Sequence, residues 1–276
     1  MSQAVILLAH GAPECLEDLP AFLARVLGAP APPALIAEVR ARYERIGGAS
    51  PLTAVSRRQA EALSQRLSLP VFLGMRYWRP FLDEALSQAR SDGIHRLIAL
   101  HAAPQFSPPP PLPIPCAPSV HRHPLFIEAI AERLAPLAQG REVLFTAHSL
   151  PARLATAAPE YDLEARFTAA AVAARCGLPS FDFGYQSQAR PAEDWLGPTV
   201  ESRIEAFSAR GVRDLVLVPL SFTADNLEVL YDIDIHFRDY ARARGIQLCR
   251  TATPGDSTLF VETLAATVRP LLKAAP

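Results

Sequence analysis

No two of the four cysteines, Cys15, Cys116, Cys176 and Cys249, stand in the C-x-x-C spacing of a zinc or dithiol site. Thiols this far apart read as isolated side chains in a reducing compartment, not as a disulfide framework. No apolar run approaches the roughly 20 residues that span a bilayer. The start, Met1-Ser2-Gln3, lacks the basic residues of a secretory leader. A cytoplasmic protein without a transmembrane segment is therefore the expectation. An excess of one charge is missing too: 27 Lys and Arg face 28 Asp and Glu, a formal net charge of -1. That balance offers no basic stripe to a nucleic acid, so a small molecule or a metal is the better partner.

What is present is 276 residues, half of them hydrophobic, enough for one large α/β unit or two small ones. Apolar, strand-like runs recur at Ala4 to Ala9, Val71 to Gly74, Leu97 to Leu100, Val143 to Ala147, Phe181 to Gly184 and Leu215 to Pro219, with amphipathic segments between them. Such alternation predicts parallel sheets flanked by helices. The halves are alike in layout, and each opens with a strand ending in histidine, at His10 and at His148. The expected fold is α/β, with two similar flavodoxin-like lobes, 1–118 and 119–276, facing a central cleft. Between Pro104 and Pro118 lie eight prolines, four of them consecutive from Pro108 to Pro111. This helix-excluding stretch reads as a stiff connector or as a rigid lip over the cleft.

In Phe145-Thr146-Ala147-His148-Ser149-Leu150-Pro151, His148 leaves the carboxyl end of a buried strand, where open α/β sheets place their ligand crevices. A core histidine bonded to a backbone carbonyl would leave the same trace. Further on, Glu228, Asp232 and His236 are spaced by four, which on an α-helix aligns them in one row. Carboxylate and imidazole suit a borderline divalent ion, or proton transfer, while a solvated acidic face is the plainer alternative. The stretch Arg42-Tyr43 to Ser50-Pro51 joins basic side chains to a glycine pair, and Ser50 is an expected helix N-cap, an arrangement that suits a carboxylate ligand. Met75, Tyr77 and Trp78 follow a strand and would either wall a flat apolar ligand or anchor the lobe.

Taken together, these blocks resemble the ferrochelatases. The match runs along nearly the whole chain, through LLAHGAP (7–13), RYERIGGASPL (42–52), GMRYWRPF (74–81), PQFS (104–107), FTAHSLP (145–151), YQSQ (185–188), WLGP (195–198) and DNLEVLYDID (225–234). The resemblance implies that His148 and Glu228 are the catalytic and metal-binding pair and that Asp232 continues the metal's path, with His236 added by its spacing in the row. It implies porphyrin contacts at Arg42, Tyr43 and Ser50; His10 and His121 join them by their positions, and Arg25 as a basic partner for a carboxylate. Three departures stand out. Asn226 replaces a histidine carried by many relatives, and His10 takes a position where relatives vary and some have a tyrosine. The lip is shortened and proline-rich, and His121 falls near where some relatives place a tyrosine.

The implied reaction inserts Fe²⁺ into a free-base porphyrin, a step that removes two pyrrole protons from a stiff ring. A rigid cleft can strain that ring using binding energy from the rest of the macrocycle. In this reading His148 accepts the protons, Glu228 orients the metal or relays protons, and Asp232 with His236 draws the ion inward. Iron is a substrate, so no bound cofactor is expected, and the scattered cysteines argue against an iron–sulfur cluster. Coproporphyrin III is favoured over protoporphyrin IX, since four propionates want partners such as Arg25, Arg42, Tyr43, Ser50 and Arg76. The alternatives are a porphyrin or haem carrier without catalysis, and a cobalt- or sirohydrochlorin-type chelatase suggested by His10. A monomer is the simplest expectation.

Overall fold

In the computed structural model, which describes residues 2–105, 114–188 and 193–273, two parallel sheets stand side by side. Strands β1 (Gln3–Ala9), β2 (Val71–Met75) and β3 (Arg96–His101) form the first, in the order β2-β1-β3. Strands β4 (Glu142–His148), β5 (Asp182–Gln186), β6 (Asp214–Pro219) and β7 (Gln247–Arg250) form the second, in the order β5-β4-β6-β7. The six expected strands are all present. The seventh, β7, escaped notice because only Leu248 of its four residues is buried, which leaves no apolar run to read.

Alternation along β1 splits its side chains between two helical layers, as the pleat requires. Ala4, Ile6 and Leu8 pack with Leu97, Ala99 and Ala89 on one side, whereas Val5 and Leu7 join Ile98 and Leu100 on the other. Both faces are dry, which explains the unbroken run Val5-Ile6-Leu7-Leu8. Each fully buried Leu or Ile contributes about 1.5–3 kcal/mol.

The second of these cores is shared between the sheets. The helix Thr258–Lys273 follows every strand of the second sheet, yet it packs on helices Leu52–Leu67 and Pro124–Leu134 and on β3. Its Phe260, Leu264 and Val268 lie in the same cluster as Val5, Leu63, Leu100 and Phe145. Polar bonds also stitch the sheets together near their carboxyl ends: Gln59 Nε2 donates to Gly255 O at 2.8 Å, Gln105 Nε2 to Leu220 O at 3.2 Å and Thr223 Oγ1 to Ala102 O at 3.0 Å. Of the proline-rich segment, the run 106–113 lies outside the described residues. Beyond it, Ala99 N donates to Pro115 O and Ala117 N to Ala99 O, bonds that lay the end of the segment beside β3.

The short helix Ala152–Ala157 buries none of its side chains, so it carries no amphipathic signal. One helical expectation needs correction: Glu228–Phe237, expected as α-helix, is a π-helix that passes into a short α-helix at Arg238–Arg242. Its bonds run from i to i+5, which widens each turn, and residues spaced by four still fall on one face.

Candidate active site

The carboxyl ends of both sheets open into one cavity of about 780 Å³. From the first sheet it takes Leu8, His10, Met75 and His101; from the second, His148, Ser221 to Ala224, Asn226 and Glu228. The walls are apolar over Phe81, Leu82 and Leu86, while Arg25 and Arg76 bring guanidinium groups to the lining. Arg25 lies over the Phe81 ring at 3.8 Å and Arg76 over Tyr77 at 5.1 Å. In both cases the guanidinium group itself lies against the aromatic face.

His148 is the last residue of β4, and its Nδ1 lies 2.5 Å from Ser149 O. A carbonyl oxygen only accepts, so Nδ1 carries the proton of the neutral ring and Nε2 is left as a lone pair. His10 repeats the pattern on the first sheet, with Nδ1 3.0 Å from Gly11 O. His10 is open to the cavity, and desolvation by the surrounding walls, ahead of its attraction to Glu228, keeps its pKa below the usual imidazole value. The chain turns away after His10 through Gly11, whose φ is +87°. A Cβ there would sit 2.7 Å from Trp78 N, so only glycine allows the loop after β2 to close over the end of β1. That closure sets Tyr77 against His10, with centroids 4.7 Å apart, and turns Trp78 towards Phe22 and Phe81. Of the three expected wall residues, Met75 lines the cavity, Tyr77 buttresses His10 and Trp78 anchors the loop.

The π-helix delivers Glu228 to the cavity, and three contacts fix that helix in place. Asn226 Oδ1 accepts from Val229 N at 3.0 Å, so the residue that departs from the family pattern acts as a local cap. Gln186 Nε2 donates to Glu228 O at 3.0 Å while its Oε1 accepts from Thr146 Oγ1 at 3.2 Å. Arg250 on β7 holds Asp234 through Nε and Nη2 at 2.8 and 2.9 Å, and Asp225 through Nη1 and Nη2 at 3.3 and 3.0 Å. The guanidinium therefore clamps both ends of the segment carrying the glutamate.

Asp232 lies next along the row, where Ser187 Oγ donates to it at 2.6 Å. Burial pushes its carboxyl up to about 6, partly offset by that hydroxyl. Ser187 holds this position with a positive φ of 64°, unusual for a residue with a Cβ. His236 turns outward instead: its Nε2 meets Glu201 Oε1 at 3.2 Å, and this bond raises its pKa. Among the described residues no three His, Cys, Asp or Glu side chains converge as a ready metal cage. The four expected metal residues thus form an open line, Glu228 at the cavity and His236 at the surface.

The expected porphyrin contacts divide. His10 and Arg25 line the cavity, whereas Arg42, Tyr43, Ser50 and His121 do not. Arg42 pairs with Glu38 at 2.5 Å and lies 5.4 Å from the Tyr231 ring, beside the π-helix. Tyr43 is buried behind Glu228, and burial first, then that carboxylate, pushes its phenol up. Ser50 Oγ accepts from Leu52 N at 3.3 Å, one residue further out than the expected cap, since Pro51 takes the N-cap place. His121 sits in a buried network of its own, 2.7 Å from Ser119 Oγ and 3.2 Å from Glu164, with Arg122 Nε donating to its Nε2. The cavity also includes residues that the sequence reading passed over, notably His101, Gln105, Tyr161 and Ser221.

A model of the family described as Ferrochelatase matches residues 2–109 and 112–272. The chain is 38% identical to a ferrochelatase of Acidobacterium capsulatum, over 95% of this chain and 92% of that protein. It is 32% identical to a coproporphyrin III ferrochelatase of Mycobacterium ulcerans, over 93% of this chain and 83% of that protein. Among solved structures, SirB from Bacillus subtilis with Fe³⁺ superposes with a TM-score of 0.61 at 11% identity, over 98% of this chain and 95% of that one, a likeness of fold alone.

Proposed function

The chain belongs to the ferrochelatase family, a porphyrin metal chelatase of haem biosynthesis, and we propose that its physiological substrate is coproporphyrin III. The observation that carries the site assignment is the presence of His148 and Glu228 on the lining of one cavity, each from its own element of the second sheet's carboxyl edge. His148 is the proton acceptor in this proposal: its Nδ1 is committed to a carbonyl, and Nε2 is the lone pair available for a pyrrole proton. Glu228 receives the ferrous ion and orients it towards the ring nitrogens. Asp232, held up at about 6, is ionised above that value and attracts the ion; His236 stands at the outer end of the same line. Iron enters as substrate, and no resident metal is needed.

The preference for coproporphyrin III is supported by Arg25 and Arg76 on the lining, which suit propionate carboxylates, and by the name of the mycobacterial relative. An anaerobic absorbance assay with Fe²⁺, offering coproporphyrin III and protoporphyrin IX in parallel, tests it through loss of the free-base bands. Faster turnover of protoporphyrin IX would reject the substrate assignment. His148→Ala is expected to abolish turnover while retaining porphyrin binding, and full activity in that variant would remove His148 from the mechanism.

A further inference from the structure

Strand β4 outlasts its neighbour β6, and what replaces the missing strand bears on His148. The ladder between them ends at Thr146 and Pro219, with Leu220 N still donating to Thr146 O at 2.8 Å. In a parallel pair the N–H and C=O of one residue point to the same side, so those of His148 face the place where β6 has stopped. On its other side, Ser149 N donates to Gln186 O of β5 at 2.8 Å, so that edge is complete. Two hydroxyls fill the gap. His148 N donates to Ser221 Oγ at 2.9 Å, and Tyr161 Oη donates to His148 O at 2.7 Å. The main chain of His148 is thus held at both of its polar groups, the N–H by Ser221 and the C=O by Tyr161.

We infer that Tyr161 and Ser221 are positioning residues for the reaction, fixing the peptides on either side of the His148 Cα so that the imidazole keeps one tautomer and aims Nε2 into the cavity. The link is local: the carbonyl that holds Nδ1 belongs to Ser149, the residue directly after the clamped one. If the His148 peptide rotates, the Ser149 carbonyl moves, and both ring orientation and tautomer are released. Burial pushes the Tyr161 phenol above its usual range, so it remains a donor throughout the working pH. This inference rests on the reading of His148 as proton acceptor.

The test uses the full chain with Tyr161→Phe, Ser221→Ala, the double variant and His148→Ala. Tyr161→Phe keeps the ring that lines the cavity and removes only the donor. Expected is a kcat lower by about 10- to 100-fold, as for other groups that orient a reactive imidazole, with KM for porphyrin within about twofold. The double variant should lose less than the product of the two single losses, since both hydroxyls hold the same residue. Imidazole ¹⁵N shifts of His148 should report one tautomer in the parent and a mixture in Tyr161→Phe, a change that packing loss alone does not produce. An unchanged kcat in both single variants, or a single retained tautomer, overturns the inference. A fall in kcat matched by an equal loss of folded protein or rise in KM overturns it as well. Should Tyr161→Phe fail to fold, Ser221→Ala carries the same comparison. A dead His148→Ala beside a fully active Tyr161→Phe rejects the positioning role alone, whereas an active His148→Ala rejects the proton-acceptor reading itself.

Discussion

Replacing Arg250 by Met should destabilise the protein by releasing the segment that carries Glu228. The guanidinium is only 13% exposed, and it makes four charge-assisted bonds to Asp225 and Asp234, whose side chains are 31% and 22% exposed. Removing one partner of a buried pair costs about 3–5 kcal/mol, but both carboxylates here retain some water. Arg238 also stands 3.6 Å from Asp234, and Thr253 Oγ1 still donates to Asp225 at 2.9 Å. A net loss of about 2–4 kcal/mol follows, or roughly 5–15 °C in Tm for a chain of this size. Urea denaturation of both proteins measures this difference. A loss below about 0.5 kcal/mol, the scatter of ordinary surface changes, would refute the idea that Arg250 clamps the segment carrying Glu228.

Asp232 supplies a pH test: its folded pKa, about 6, lies above the unfolded value, so its contribution is present in acid and lost as pH rises through 6. The stability difference between parent and Asp232→Asn should therefore change by on the order of 2 kcal/mol between pH 4 and pH 7, and a flat difference would contradict the burial argument. Gly11→Ala combines a positive φ with a Cβ 2.7 Å from Trp78 N, and should cost at least about 1–3 kcal/mol in urea denaturation; a neutral effect would mean that the loop after β2 moves freely. Ser187→Gly keeps the strained backbone but removes the bond to Asp232, so the apparent KM for Fe²⁺ should rise while KM for porphyrin stays; a parallel rise in both would place Ser187 in the fold alone.

The sheet architecture was legible because both faces of β1, β4 and β6 are dry, which writes continuous apolar runs into the chain. His148 and Glu228 were legible through their blocks and their places after strands. The rest was hidden for identifiable reasons. A π-helix has the same composition as an α-helix, so the wider turn left no trace in the sequence, and His236 found Glu201 on a helix 35 residues away in the chain. The hydroxyls around His148 come from 13 and 73 residues further on and touch only main-chain atoms of the histidine, a relation that leaves no pattern in the sequence. His121 looked like a cavity residue by position, yet its imidazole is consumed by Ser119, Glu164 and Arg122.

The return of the helix Thr258–Lys273 to the first sheet sets an order on the birth of the molecule. On a ribosome the first three strands emerge early, but the face carrying Val5, Leu63 and Leu100 meets Phe260, Leu264 and Val268 only after the whole second sheet has been made. The earliest part of the chain to appear is thus among the last to be sealed. Its exposed apolar face is a place for a chaperone to hold, and a chain cut short before residue 258 would carry that open face permanently.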